Sequence, residues 1–600
     1  MKTLPGVPLA ASVPFADEPS VPWLIATLDV AIPVVENAIC VKLAERGAAA
    51  ANDPDLARLD EIRKVVDRLR DLHDGKEEGG IRGLLSSATG TVGALAGTHA
   101  RTLRGHIDEL RAMVAARGLT PKAVKDLAAF EALFIKLPLP AIAKKFAEDE
   151  TFARMRVAGP NAVLIQRVTS VPANFPITDV EYLHGMRLGP GDDSIAQAIA
   201  DRRLYLLDYA GLATMVPGTV NGHQKYLDLP LALFAVPPKG RSLQVVAIRL
   251  GQEAATAPLH LRPAPGAEDW AWEMAKFQVQ VADGNYHEIF AHLARTHLVV
   301  EAAAVAMHRA LSPEHPLFLL LVPHVEGTVF INNEAAGGLI AAGGPIEQLF
   351  AGTIDTIQLA AVQDRLGFDF TAQMLPTELA GRGVDDVAGL PDYPYRDDGL
   401  LVWHAIERWV RAYVGVYYSG DEDVIGDTEL AAFCAELRGQ GRLRGFPVIQ
   451  SIDTLVSALT MIIFTGSAQH AAVNFPQQTD MTWVPNVTGS AWAPGADSPG
   501  PKDESTWFAM MPTVDLALLQ LNTLWVLGGV HFRKLGDYLS PDFPYHAWFL
   551  DPKVTRDGGP LEAFRNDLRA VEAQVEKNNA GRTVPYTFLL PSLIPQSINI

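Results

Sequence analysis

From Tyr286 to Leu311 the chain runs through Ala, Leu and Glu without a glycine or proline, then meets Ser312-Pro313. That predicts one uninterrupted helix, roughly 37 Å long at 1.5 Å per residue. A strut of that length needs a large helical body around it. The continuation to His324, HPLFLLLVPH, reads as extended. On the helix, His292 and His297 are five residues apart. A regular α-helix would turn them about 140° apart, too divergent for one ion, whereas an i to i+5 π-type turn brings them to one face. The spacing therefore predicts a local π-bulge. A neighbouring pattern fails: His287-Glu288 opens like the zinc-protease motif H-E-x-x-H, but the second histidine would fall at 291, where the chain has Ala291.

Composition limits the partners. A formal charge of -19 and the lack of a basic stripe exclude nucleic acid. With only Cys40 and Cys434 present, neither a disulfide framework nor a zinc-thiolate site can form, so metal ligands must be His, Asn or carboxylate. The start, MKTLPGVPLAASVPFADEPS, makes a poor signal peptide, and cytoplasmic and exported locations both stay open. No run reaches eighteen uninterrupted apolar residues, so a soluble chain is expected.

Two regions are expected: 1-150, helical and packed on or gating the rest, and 151-600, the main body. The first holds VPWLIATLDV and ENAICVKLAERGAAAA as two helices, then the charged LARLDEIRKVVDRLRDL. Gly79, Gly80, Gly83, Gly90, Gly93 and Gly97 loosen the stretch after it, and KLPLPAIAKK reads as a connector. The apolar first helix could touch a membrane or gate substrate; ordinary packing is the plainer reading. Beyond residue 160, VLIQRVTSV, RLYLLDYAG, SLQVVAIRL and APLHLRP read as strands of a small peripheral sheet. Residues 391 to 418 form an aromatic-faced helix. SIDTLVSALTMIIFTGSAQHAAVN is a second long buried helix, capped at Ser451 or Asp453 and ended by Pro476. His470 and Asn474, four apart, share one face near its end. Helices are also expected in MPTVDLALLQLNTLWVLGG and PLEAFRNDLRAVEAQVEKNNAG. The last stretch, PYTFLLPSLIPQSINI, is apolar enough to be buried.

In this order, LLDY (206 to 209), YHEI, the His292 and His297 pair, HPLFLLLVPH, FTAQMLPTELAGRGV, DYPYRDDGL, SAQHAAVNF, VPYTFLLP and a terminal Ile resemble the lipoxygenase family from about residue 160 to Ile600. The resemblance implies a mainly α fold: a large helical catalytic domain with small peripheral sheets. It implies a non-haem iron held by His292, His297, His470, Asn474 and the carboxylate of Ile600, with manganese as the alternative known in some fungal members. Imidazole and oxygen ligands without thiolate suit either ion.

The reaction implied is hydrogen abstraction, by an iron-bound hydroxide, from the methylene between two cis double bonds of a polyunsaturated fatty acid such as linoleate or arachidonate. O2 then adds to give a hydroperoxide. Ala335, Leu339, Ile346, Leu349 and Phe350 match the family's substrate cavity. Ala335 stands where Ala goes with S products and Gly with R products. Larger residues at 349 and 350 would raise the cavity floor and favour oxygenation near the methyl end. Gln477 and Glu288 are expected behind the ligands, and His287, His308, His315 and His324 are expected to be structural.

Two departures stand out. The helical first 150 residues differ from the β-sandwich of plant and animal members and match compact bacterial ones. No evident counterpart exists for the Arg that meets the substrate carboxylate in some plant members. The direction in which substrate enters, a phospholipid or membrane surface as further partner, and a monomeric state against any oligomer therefore stay open. The competing classes are a lipid-binding protein of this fold without catalysis and a zinc hydrolase, which Ala291 disfavours.

Overall fold

The computed structural model describes the chain apart from residues 1–3, 5, 8, 15–16, 48–52, 74–90, 116–118, 542 and 544–548, and apart from the side chains of 91–97. Gly79, Gly80, Gly83 and Gly90 lie outside the described residues. Gly93 and Gly97 do not loosen the chain, since both fall within a helix.

The N-terminal region contributes α1 (Val21–Glu45), α2 (Pro54–His73) and α3 (Thr91–Ala115). The expected two first helices are one. Pro33 sits inside α1, where it removes a helical N–H, but Ile32, Val34 and Val35 are all buried and packing carries the helix through. Trp23, Leu28, Ile39 and Leu43 of α1 join Ile62, Leu103 and Leu110 in a core that also receives Phe330, Ile331 and Phe532. Other α1 residues, Val34 and Val41, belong to the main core. The N-terminal helices are thus continuous with the body they lie on.

Five antiparallel strands form a small sheet in chain order: β1 (Gln166–Arg167), β2 (Leu204–Asp208), β3 (Leu231–Ala235), β4 (Gln244–Arg249) and β5 (Leu259–Leu261). Every residue of β3 is buried.

The central strut, α4, runs from Trp270 to Ala310 and is longer than expected by its whole first third. Gly284 obscured that start. It is used for close approach, because a Cβ there would lie 3.1 Å from the carbonyl oxygen of Thr488. HPLFLLLVPH is helical rather than extended: Pro316–Leu321 and then Val322–His324. Pro316 occupies a first-turn position and His315 accepts from the Leu317 N–H. Next comes α5 (Thr328–Glu334), which widens into a π segment, Ala335–Leu339.

α6 (Pro394–Tyr417) packs against α7 (Ile452–Met481), while α8 (Val514–Leu527) and α9 (Pro560–Asn579) complete the helices expected from sequence. Ser451 is the cap of α7. Pro476 does not end it: the chain widens into the π segment Gln477–Met481 and continues.

By length and hydropathy α1, α4 and α7 could each cross a bilayer, contrary to the reading from uninterrupted runs. Within the fold, 67%, 83% and 89% of their apolar windows are buried. The C-terminal stretch is also buried, Ile594 and Ile598 completely and Ile600 to 8% exposure.

A candidate metal centre between two broken helices

The middle of α4, His287–His297, is an eleven-residue π segment, as the five-residue spacing requires. Thr296 assists by turning its hydroxyl back onto the carbonyl of His292. α7 has its own π segment, Thr465–Gln469, immediately before His470. There Thr465 and Ser467 donate to the carbonyls of Met461 and Ile463, four residues back. The two widened stretches pack on each other.

Neighbouring motifs brace this pair. Asp283 of α4 takes an ion pair from Arg156 at 3.0 Å and a hydrogen bond from Tyr209, so LLDY anchors the strut. Arg295 forks onto Asp364 and also reaches the Tyr286 hydroxyl. Tyr395, of DYPYRDDGL, donates to Gln469 beside His470, and Asp398 of the same motif pairs with Arg582.

The result is a triangle of imidazole nitrogens. The Nε2 atoms of His292, His297 and His470 lie 3.2 to 3.3 Å from one another, and all three rings are buried. Metal–imidazole bonds of about 2.1 Å place cis ligands about 3.0 Å apart in an octahedron and about 3.4 Å apart in a tetrahedron. The observed edges lie between, so one ion fits without rearrangement. Among the described residues this is the one group of three His, Cys, Asp or Glu side chains able to share a metal.

Electrostatics agree. Burial and the neighbouring imidazoles push His297 down to about 3 and hold His470 well below the usual histidine range. Both rings are therefore neutral and offer lone pairs.

The atoms behind the triangle are also arranged. His292 Nδ1 faces Glu288 Oε2 at 3.2 Å. Burial opposes ionisation of Glu288, but its interaction and hydrogen bond with His292 outweigh it and hold its carboxyl below the usual range. An acceptor there keeps the proton on Nδ1 and bares Nε2. Asn474 donates its amide to the Leu527 carbonyl at 2.8 Å and accepts from Gln477 at 2.9 Å, so its side chain is held at both ends.

The C-terminal stretch runs along α5: Thr328 donates to the Ile598 carbonyl at 3.0 Å, and Trp23 of α1 donates its indole N–H to the Asn599 carbonyl at 2.7 Å. Gly327 beside Asn599 adopts φ +80°, a left-handed conformation that glycine takes without strain. Ile600 comes next and is buried.

The remaining histidines have other partners. His287 contacts the Val473 carbonyl, and His315 faces Asp427. His324 spends both nitrogens, on the Gln596 carbonyl and the Tyr538 hydroxyl. His308 packs against Phe318.

Of the expected cavity residues, Ile346, Leu349 and Phe350 are buried in the main core, and Ala335 and Leu339 pack half-buried against it. Lys225, which sequence reasoning missed, fixes this region. Its ammonium donates to the carbonyls of Glu347, Phe350 and Gly352, and burial pushes it down to about 8. A cavity of about 540 Å³ beyond Lys225, lined also by Tyr226, Asp228 and Gln278, includes none of the five. Sequence reasoning also missed Asn332, whose Oδ1 lies 2.8 Å from His297 Nδ1.

A model of the lipoxygenase family matches residues 99–587. The chain belongs to the lipoxygenase family. This lipoxygenase is 45% identical to the linoleate 9/13-lipoxygenase of Pseudomonas aeruginosa, over 99% of this chain and 87% of that one. It is 32% identical to a human polyunsaturated fatty acid lipoxygenase, over 76% of this chain and 66% of that protein. Among solved structures, an anaerobic crystal structure of a lipoxygenase deletion variant in complex with arachidonate superposes with a TM-score of 0.72 at 28% identity, covering 80% of this chain and 71% of that one. The coral 8R-lipoxygenase does so at 0.71, again 28% identical, over 80% and 71%. This lipoxygenase is a dioxygenase with a catalytic metal, and the histidine triangle is where its residues fit one.

Proposed function

We propose that the metal is iron, that the substrates are polyunsaturated fatty acids such as linoleate and arachidonate, and that the products are mainly S-hydroperoxides. The observation that carries this is the buried triangle of three imidazoles with 3.2 to 3.3 Å edges, free of thiolate. That donor set suits a redox-active ion of intermediate softness. The relatives' names supply the substrate class: linoleate in the bacterial relative, polyunsaturated fatty acid in the human one.

His292, His297, His470, Asn474 and the terminal carboxylate of Ile600 would hold the ion. When bound, it supplies a one-electron oxidant that lets a hydrogen atom leave the methylene between two cis double bonds. The chain's own contribution is positional. Glu288 keeps His292 in the metal-binding tautomer, and Gln477 and the Leu527 carbonyl orient Asn474. Ala335, with its single methyl group, would shield one end of the pentadienyl radical from O2 and set the S hand. Leu349 and Phe350, locked through Lys225, would form the floor.

The deciding experiment combines metal analysis of the purified chain with conjugated-diene absorbance on linoleate under oxygen and chiral chromatography of the reduced product. Iron near one per chain with S product supports the proposal. Absence of diene formation by metal-replete protein, or racemic product, refutes it.

A further inference from the structure

A hydrogen-bonded chain leads from His297 away from the metal and ends on the N-terminal segment. His297 Nδ1 lies 2.8 Å from Asn332 Oδ1. Asn332 Nδ2 donates to Glu301 Oε2 at 2.7 Å and lies 3.2 Å from the His297 carbonyl. The other oxygen of Glu301 accepts from the backbone N–H of Ala10 at 2.8 Å. Glu301 is completely buried and Asn332 is 7% exposed.

Each link fixes the next. The N–H of Ala10 can only donate, so one oxygen of Glu301 must accept. Burial pushes the Glu301 carboxyl up to about 7; above that pH its second oxygen can also only accept, so Asn332 must present its amide N–H₂ to it. The Asn332 carbonyl oxygen is thereby turned toward His297, where it can only accept. The imidazole proton must then sit on Nδ1, and Nε2 is left bare. An inverted Asn332 would donate to Nδ1 and put the proton on Nε2, at the position the metal takes.

We propose that Glu301 and Asn332 are positioning residues that set the tautomer of His297, and that the N–H of Ala10 on the N-terminal segment anchors the far end of the relay. The inference rests on the reading that His297 holds the metal. Glu288 serves His292 directly; His297 is served at one remove, through an amide whose orientation another residue dictates.

The test is Fe²⁺ affinity, measured anaerobically on the metal-free full-length protein, together with the urea midpoint of the same metal-free protein. Glu301→Gln keeps shape and burial but offers a donor in place of one acceptor, which permits inversion of Asn332. It is expected to weaken Fe²⁺ binding roughly 10- to 100-fold, the usual effect of losing a partner behind a ligand, with the urea midpoint little changed. The exchange Glu301→Gln with Asn332→Asp restores the polarity of each link from Ala10 to His297 Nδ1 and gives up only the 3.2 Å contact of residue 332 with the His297 carbonyl. Ala10 donates to the Gln oxygen, the Gln amide donates to Asp, and Asp accepts from His297 Nδ1. This double variant is expected to bind Fe²⁺ within a few-fold of the wild type.

A purely structural role predicts that two buried changes are worse than one, so rescue separates the cases. Glu301→Gln protein that binds Fe²⁺ as tightly as wild type overturns the relay, and so does a double variant no tighter than the single. Should Glu301→Gln fail to fold, the comparison runs from Asn332→Asp alone, which sets two carboxylates face to face and which the exchange must equally rescue. Wild-type protein that takes up no metal overturns the histidine-site reading and the relay together, an outcome distinct from either of the others.

Discussion

Gln477 stands three residues beyond Asn474 and donates its side-chain amide to Asn474 Oδ1 at 2.9 Å. The contact orients the amide oxygen proposed as a neutral and weak ligand. His292→Ala, His297→Ala and His470→Ala should each abolish metal retention, because imidazole contributes more to affinity than an amide oxygen. Asn474→Ala should keep part of its metal. Gln477→Leu leaves the ligand present but unheld and should speed metal loss to a chelator by roughly 10-fold or more. Full metal content in all three His variants would discard the assignment.

The C-terminal ligand is tested by length. One residue added after Ile600 moves the carboxylate, and iron content and turnover should fall together. Trp23→Phe keeps the aromatic packing but leaves the buried Asn599 carbonyl without its donor, at a cost of about 1 to 3 kcal/mol. The urea midpoint should drop accordingly, and metal should dissociate faster. Unchanged metal retention in Trp23→Phe would show that the tail is held adequately without it.

Asp17 gives the N-terminal segment a pH dependence. It is 1% exposed, and burial, with Glu326 and Glu301 nearby, raises its carboxyl to about 8. Because the folded state holds this proton more tightly than the unfolded state, the associated stability is fully present below the unfolded value of 3.8 and is lost as pH rises through about 8. Tm should therefore decline between about pH 4 and 8 and level off above, and Asp17→Asn should flatten that slope. A slope that survives Asp17→Asn would place its origin elsewhere.

Product hand and position are tested at the cavity residues. Ala335→Gly should raise the R fraction at a shifted carbon, read by chiral chromatography. Phe350 is 2% exposed, so Phe350→Ala is expected to cost about 3 to 5 kcal/mol and confounds the product analysis. Phe350→Leu is the cleaner probe and should move arachidonate oxygenation along the chain. An unaltered product spectrum in both variants would remove these residues from specificity.

Legibility in the sequence depended on distance along the chain. His292 and His297 are local, and their spacing alone called for the π segment. His470 and Asn474 required the order of family motifs, since nothing local ties them to residues 178 positions earlier. Glu301 and Asn332 were missed because their pairing exists only between α4 and α5. Pro33 and Pro476 misled through local propensity that burial overrides, and Gly284 hid the start of α4 because its reason is a neighbour more than 200 residues away.

The bond between Trp23 and Asn599 spans 576 residues. During synthesis α1 emerges early, and its acceptor emerges 576 residues later. At about 5 to 20 residues per second the wait is roughly half a minute to two minutes, during which an apolar helix lacks both that acceptor and much of the core it covers. Closure of this contact is thus timed by the pace of translation and not by the folding of α1 itself.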